Sequence, residues 1–284
     1  MSPKGEAGFV LTQKELLFLA ALTGADEMYG VEDVFSQIDD EQVIKEWDIA
    51  REQLENKKYL EVEFDNTITM DNELYSLMVA CCNPKVFMRV LMIEDESFMH
   101  IRNIYINENI AVELDQDRLS KNKWIMTPLV SIEKVAENLK ECFFTETNYE
   151  GGDIGFEVPL PDFEKLNDLV VKGDRSEGIE VLKKNGCSDE AAGDLFDAIK
   201  DKDFCVSLLI MLLDYDNMSD VNSYTCYGGS KYLWMLDASA IVKEDEKEMV
   251  MKFNTLGKEA MLVEIEKMVF ALRNLYSSAS EGDV

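Results

Sequence analysis

The chain has 284 residues, 57 of them acidic and 28 basic, for a formal net charge of −29. Such an excess repels nucleic acid and anionic membrane, whose phosphates call for Lys and Arg surfaces. An apolar content of 46% with only 15 Gly and 5 Pro excludes a disordered or fibrous chain and leaves ample material for a core.

The first residues, MSPKGEAGFVLTQKELLFLAALTG, hold no continuous apolar segment, because Gln13, Lys14 and Glu15 interrupt it. They do not read as a signal peptide, so a cytoplasmic protein is expected. Residues 11–24 place Leu16, Leu19 and Ala20 on one helical face. Thr12 with Glu15 three residues later has the form of a capping box, and Gly24 that of a C-terminal stop. A short helix is expected at Val31–Gln37. A longer one follows at Glu41–Lys57, with Val43, Trp47, Ala50 and Leu54 at helical spacing. Tyr59–Phe64 and Thr67–Met70 alternate around Asp65-Asn66, which is hairpin chemistry. Helices plus a two-stranded wing make a winged-helix-like unit over 9–82, and Leu74–Cys81 adds a helix before Pro84.

The period then changes. Val86–Ile93, Phe98–Ile106 and Ile110–Leu114 read as strands, with Trp124–Met126 a short edge strand. Ser131 caps a helix running to Phe143, with Ile132, Val135, Ala136 and Leu139 facing inward. Residues 145–155, with Gly151-Gly152 and no periodicity, read as a linker.

Beyond it the plan recurs. Helices are expected at Asp162–Val171, Ser176–Lys184 and Asp189–Lys200, the last capped by Ser188. Strands are expected at Phe204–Tyr215, Lys231–Asp237 and Glu248–Phe253, and a helix from Gly257 to Tyr276 closes the chain. The domain reading is therefore a first half 1–144, a linker 145–155, a second half 156–276 and a disordered tail 277–284. The strands follow one another too closely for crossover helices. The class is α+β, with a central antiparallel sheet flanked by helical bundles in two quasi-equivalent halves.

Catalytic and metal signatures are missing. No GxGxxG, Walker A sequence or GxSxG occurs, and no CxxC accompanies the one histidine, His100. Gly228-Gly229-Ser230-Lys231 imitates the end of a phosphate loop without its upstream glycine, and Asp214-Tyr215-Asp216-Asn217 lacks the calcium-loop spacing. Cys81, Cys82, Cys142, Cys187, Cys205 and Cys226 read as reduced, mostly buried thiols. No enzyme activity, metal or cofactor is expected. DNA binding through the winged unit is opposed by Asp26–Asn56, where eleven acidic residues stand against Lys45 and Arg51 for a net −9.

Three stretches carry a family resemblance. Leu54–Leu91 is similar in pattern to a helix end, a wing, a second helix and a proline leading into a sheet strand. Leu182–Ile199 resembles a characteristic helix pair. Gly229–Asp237 (GSKYLWMLD) resembles a strand start, with Lys231 standing where the family has arginine. Together they resemble the EspG family, cytosolic chaperones of type VII (ESX) secretion. The resemblance implies a non-enzymatic protein that covers the apolar tip of a helical secretion substrate, of WxG or LXG type, and keeps it soluble and export-competent. A winged-helix transcriptional regulator or another interaction scaffold is the alternative reading, and a homodimer the alternative partnership. Neither nucleic acid nor membrane insertion is expected; the most apolar run, Phe204–Leu213, is about half the ~20 residues that a membrane helix needs.

By element order, the resemblance points to the loops Glu94–Ser97 and Asn217–Ser230 beside the strands Phe204–Leu213 and Tyr232–Leu236. The residues expected to meet the partner are Met211, Leu213, Tyr215, Met218, Tyr224, Tyr227, Trp234 and Met235, with the tyrosines on a mobile loop.

Overall fold

The computed structural model describes residues 8–65, 67–95, 98–107, 110–150, 152–214, 217–239 and 249–273. Strand β1 (Phe9–Thr12) runs directly into α1 (Gln13–Leu22). Both arms of the capping box form. The Glu15 N–H donates to the Thr12 hydroxyl at 3.2 Å, and the Thr12 N–H donates to the Glu15 carboxylate at 2.6 Å. The helix thus starts where its cap dictates, and Leu11 and Thr12 lie in β1. Residues 34–37 form turns rather than the expected helix, with the Phe35 N–H bonded to the Asp33 side chain. A single helical turn is a costly nucleus and nothing here extends it.

After α2 (Asp40–Asn56) comes the expected hairpin, β2 (Leu60–Val62) with β3 (Ile68–Met70), and then α3 (Asn72–Cys82). Strands β4 (Val86–Asp95), β5 (Phe98–Asn107), β6 (Ile110–Gln116) and β7 (Lys123–Leu129) follow, closed by α4 (Ile132–Cys142). Ile132, Val135, Ala136 and Leu139 are all buried, as their spacing predicts, and the Lys134 N–H donates to the capping Ser131 hydroxyl. The second run is β8 (Gly155–Pro159), α5 (Leu160–Lys172), α6 (Arg175–Lys184), α7 (Asp189–Asp201), β9 (Cys205–Asp214), β10 (Asn217–Gly228), β11 (Leu233–Asp237), β12 (Val250–Leu256) and α8 (Lys258–Ala271).

The ten long-range strands form one antiparallel sheet in the order β1-β7-β6-β5-β4-β9-β10-β11-β12-β8. Its two ends mirror each other. In each half one short strand precedes the helices and lies at the sheet's edge, four strands then meander, and a helix closes the run. The element repeat was legible in the sequence, but four strands were expected in the first half and three in the second, and among the described residues each half contributes five to the sheet. β1 and β8 are too short for their alternation to stand out. β10 was read as a loop because polar residues occupy both of its phases (Asp220, Asn222, Ser223, Thr225). It is a strand because it is paired along both sides, to β9 and to β11.

The chain divides into two compact units, one built on residues up to 87 and 102–135, the other on 88–101 and 136–272. In the first unit Leu11, Leu16, Leu19, Leu54, Leu74 and Met78 are fully buried, and the Tyr105 hydroxyl donates to the Tyr29 carbonyl at 2.6 Å. In the second, α5, α6 and α7 pack on β8, β11 and β12 around Leu166, Leu182, Leu195, Phe196, Phe253 and Trp234. The ring of Phe196 lies where a Cβ at Gly178 would be, so α6 and α7 approach this closely only with glycine there.

Candidate functional site

Strand pairing sorts the candidate residues by face, because side chains directly opposite in an antiparallel pair point the same way. Tyr227 lies opposite both Cys205 and Trp234, so these three share a face. Cys205 is on the same phase of β9 as Leu209, Met211 and Leu213, which therefore join them. Tyr224 lies opposite Leu208 and Asp237, and Cys226 opposite Met235. Tyr224 and Met235 are therefore on the other face. Tyr215 lies outside the described residues. Met218 is placed only as the strand partner of Leu213, and its side chain is also outside the description.

One of the expected contact residues belongs to the core and another is half-buried against it. Trp234 is completely buried against Phe156 and Tyr232, and Tyr227 packs on the same cluster beneath α5–α7. Burial pushes the Tyr227 phenol well above the usual tyrosine range. Neither residue is on a mobile loop, so Tyr227→Ala should lower stability by about 1–3 kcal/mol, less than the deletion of a fully buried aromatic costs. Thermal unfolding checks this, and an unchanged midpoint would return Tyr227 to the surface. Tyr224 is half-buried, and its phenol is raised by burial first, with the Ser239 hydrogen bond acting in the opposite direction.

A row of apolar side chains on β9 is incompletely covered. Val206, Leu208 and Ile210 are buried on one face, while Leu209, Met211 and Leu213 alternate with them and are only half-buried. On this second face the cover of α5–α7 thins out along the strand. Cys205 is buried and Ser207, whose hydroxyl is 2.9 Å from that of Thr225, is already half-exposed. β4, the other neighbour of β9, alternates likewise, with Met88, Val90 and Met92 buried and Leu91 and Ile93 half-buried. Methionine and leucine on a partly covered sheet can repack against differing helical surfaces. Leu209 was legible as one of the alternating apolar positions, but nothing in the sequence separated the covered phase from the open one.

The loop between β10 and β11 is fixed by one carboxylate. Asp194 of α7 is 8% exposed and accepts from the Ser230 hydroxyl at 2.8 Å, the Lys231 N–H at 2.9 Å, the Tyr232 N–H at 3.3 Å and the Trp234 indole N–H at 2.9 Å. A Cβ at Gly229 would collide with this carboxylate. The resemblance of Gly228–Lys231 to a phosphate loop ends here, because Asp194 already occupies the N–H groups that an anion would need. Nothing in the sequence linked Asp194 to the loop.

His100 is buried in β5, and among the described residues no group of three or more His, Cys, Asp or Glu could hold a metal ion. No helix among them is long and apolar enough to cross a membrane. Of the two cations on α2, Arg51 is bridged to Asp48 and Glu55. No disulfide joins the six cysteines. Burial raises the thiols of Cys187 and Cys205 to about 11 and that of Cys226 to about 12, which suppresses the reactive thiolate. Native alkylation with iodoacetamide at pH 8 should therefore label at most the half-buried Cys82 slowly, and guanidinium should release all six. Rapid native labelling of several thiols would contradict this packing.

No protein-family model and no curated protein matches the chain. Among solved structures it is similar to the type VII secretion system chaperone EspG5 of Mycobacterium tuberculosis, determined in complex with the PE25–PPE41 dimer. The TM-score is 0.63 at 11% identity, and the match covers 92% of this chain and 95% of that one. The fold is shared over nearly the full length of both chains.

Proposed function

We propose that this protein is a binding chaperone for a helical substrate of a type VII-like secretion system, and that it works in the cytoplasm without catalysing a reaction. The observation that carries the reading is the likeness to EspG5 over nearly the whole of both chains, since that chaperone was determined holding a PE25–PPE41 dimer. The open phase of β9 supplies the chemistry for the contact. Leu209, Met211 and Leu213 would take the apolar tip of the substrate, of WxG or LXG type, and remove that surface from water. Burial of Trp234 and Tyr227 gives this face a rigid floor, so little order has to be gained on binding.

The test is co-expression with a helical secretion substrate encoded nearby, followed by co-purification. The expected result is a stable complex and rescue of the substrate from aggregation. Met211→Glu should weaken the complex by about 1–4 kcal/mol, the range of an interface anchor. Val171→Glu, an exposed position on α5, should leave it unchanged. If every candidate substrate is soluble alone and elutes separately, the chaperone reading fails. If complexes form but ignore Met211→Glu, only the placement on β9 fails.

A further inference from the structure

The open row on β9 leaves a second apolar feature of the molecule unused. Leu22 at the end of α1, Ile68, Thr69 and Met70 of β3, and Tyr75 of α3 line a recess of about 280 Å³. Leu22 is 40% and Tyr75 51% exposed, and Ile68 and Met70 are half-buried. Ile68 lies opposite Val62 and Met70 opposite the buried Leu60, so both are on the inner face of the wing. Glu61 and Glu63, on the alternate phase, are on its outer face. At the wing's tip the Phe64 side chain is fully exposed. Single exposed apolar residues are ordinary on a protein surface. Four around one recess form a patch of the kind that partners use.

The wing and the start of α3 carry charge of one sign. Residues 60–75 carry Glu61, Glu63, Asp65, Asp71 and Glu73 with no Lys or Arg among them. All five carboxylates are exposed. Asp71 accepts from the Glu73 and Leu74 N–H groups as the cap of α3, and Asp65 accepts from the Thr67 N–H, which holds its carboxyl below the usual range. Asp65 and Asp71 thus accept from backbone N–H groups rather than from a cation.

We propose that this recess docks a cationic amphipathic segment of a partner protein, with an apolar side chain filling the space between Leu22, Met70 and Tyr75 and Lys or Arg residues meeting the surrounding carboxylates. The same field opposes nucleic acid, anionic lipid and a second copy of a chain carrying −29. This site is independent of the substrate face, since none of its residues is on β9 or β10.

A short synthetic helix with Lys on one face and Leu on the other, fluorescently labelled, is the probe for anisotropy measurements on the full chain. Binding is expected, weakening as salt is added. Leu22→Asn combined with Tyr75→Asn leaves the net charge unchanged and should lower the affinity at least ~10-fold, while Val171→Asn should not. If the double variant misfolds by circular dichroism, Tyr75→Lys alone should produce the loss through repulsion. An unchanged affinity in these variants would mean attraction by diffuse charge and would overturn the site. Self-association that the variants abolish, or binding of phosphatidylserine vesicles at the recess, would overturn its occupant.

Discussion

Asp194→Ala is expected to destabilise the protein by about 3–5 kcal/mol, the range for breaking a buried, hydrogen-bonded charge site. The carboxylate satisfies four donors at once. After truncation the Trp234 indole N–H is left in a core where Trp234 is 0% exposed, and the Lys231 and Tyr232 N–H groups lose their acceptor as well. Each buried unsatisfied donor costs about 1–3 kcal/mol, more than an ordinary hydrogen bond contributes. Asp194→Asn should also be destabilising, because its NH₂ group would face donors rather than acceptors. Urea unfolding checks both, and an Ala variant within about 0.5 kcal/mol of the parent would show that the loop is held by other contacts. Partner binding at β9 should weaken in parallel, since this carboxylate anchors the start of β11, beside β10.

Lys57→Met is the second large effect, and its size comes from the partner it abandons. Glu15 is 0% exposed, and its two oxygens receive the Lys57 ammonium at 2.8 and 2.7 Å in addition to the Thr12 N–H. Lys57 is 34% exposed and also donates to the Val10 carbonyl at 3.0 Å. Removing the ammonium strands a buried carboxylate, which costs about 3–5 kcal/mol. Removing the carboxylate instead frees a cation that water already reaches. Glu15→Gln should therefore cost less than Lys57→Met, and the double variant should recover part of the loss, as a double-mutant cycle measures. Equal losses from the two single changes would refute the asymmetry. The Lys57 contact also covers a backbone acceptor on β1, the edge strand of the large sheet, so aggregation of Lys57→Met at high concentration is expected.

Features with local causes were legible in the amino-acid order. Thr12 with Glu15, Ser131 and Ser188 fixed three helix starts, since a side-chain acceptor for the first free N–H groups has to be within three residues of them. The wing followed from alternation about Asp65-Asn66, and the α+β class from strands too closely spaced for crossovers. Tertiary structure alone decided the rest. β10 is a strand because β9 and β11 occupy both of its edges, and no pattern in its own polar residues required that. Of the residues expected to meet a partner, Met211 and Leu213 are half-buried on β9, whereas Trp234 is fully buried under the helices and Tyr227 packs against their cluster. Both phases of β9 and of β11 are apolar, so periodicity could not say which one the α5–α7 helices would cover. That choice depends on which strands flank them and how far three helices reach. Asp194 met its four donors across 36–40 residues of chain, a distance at which only the assembled sheet and α7 bring them together.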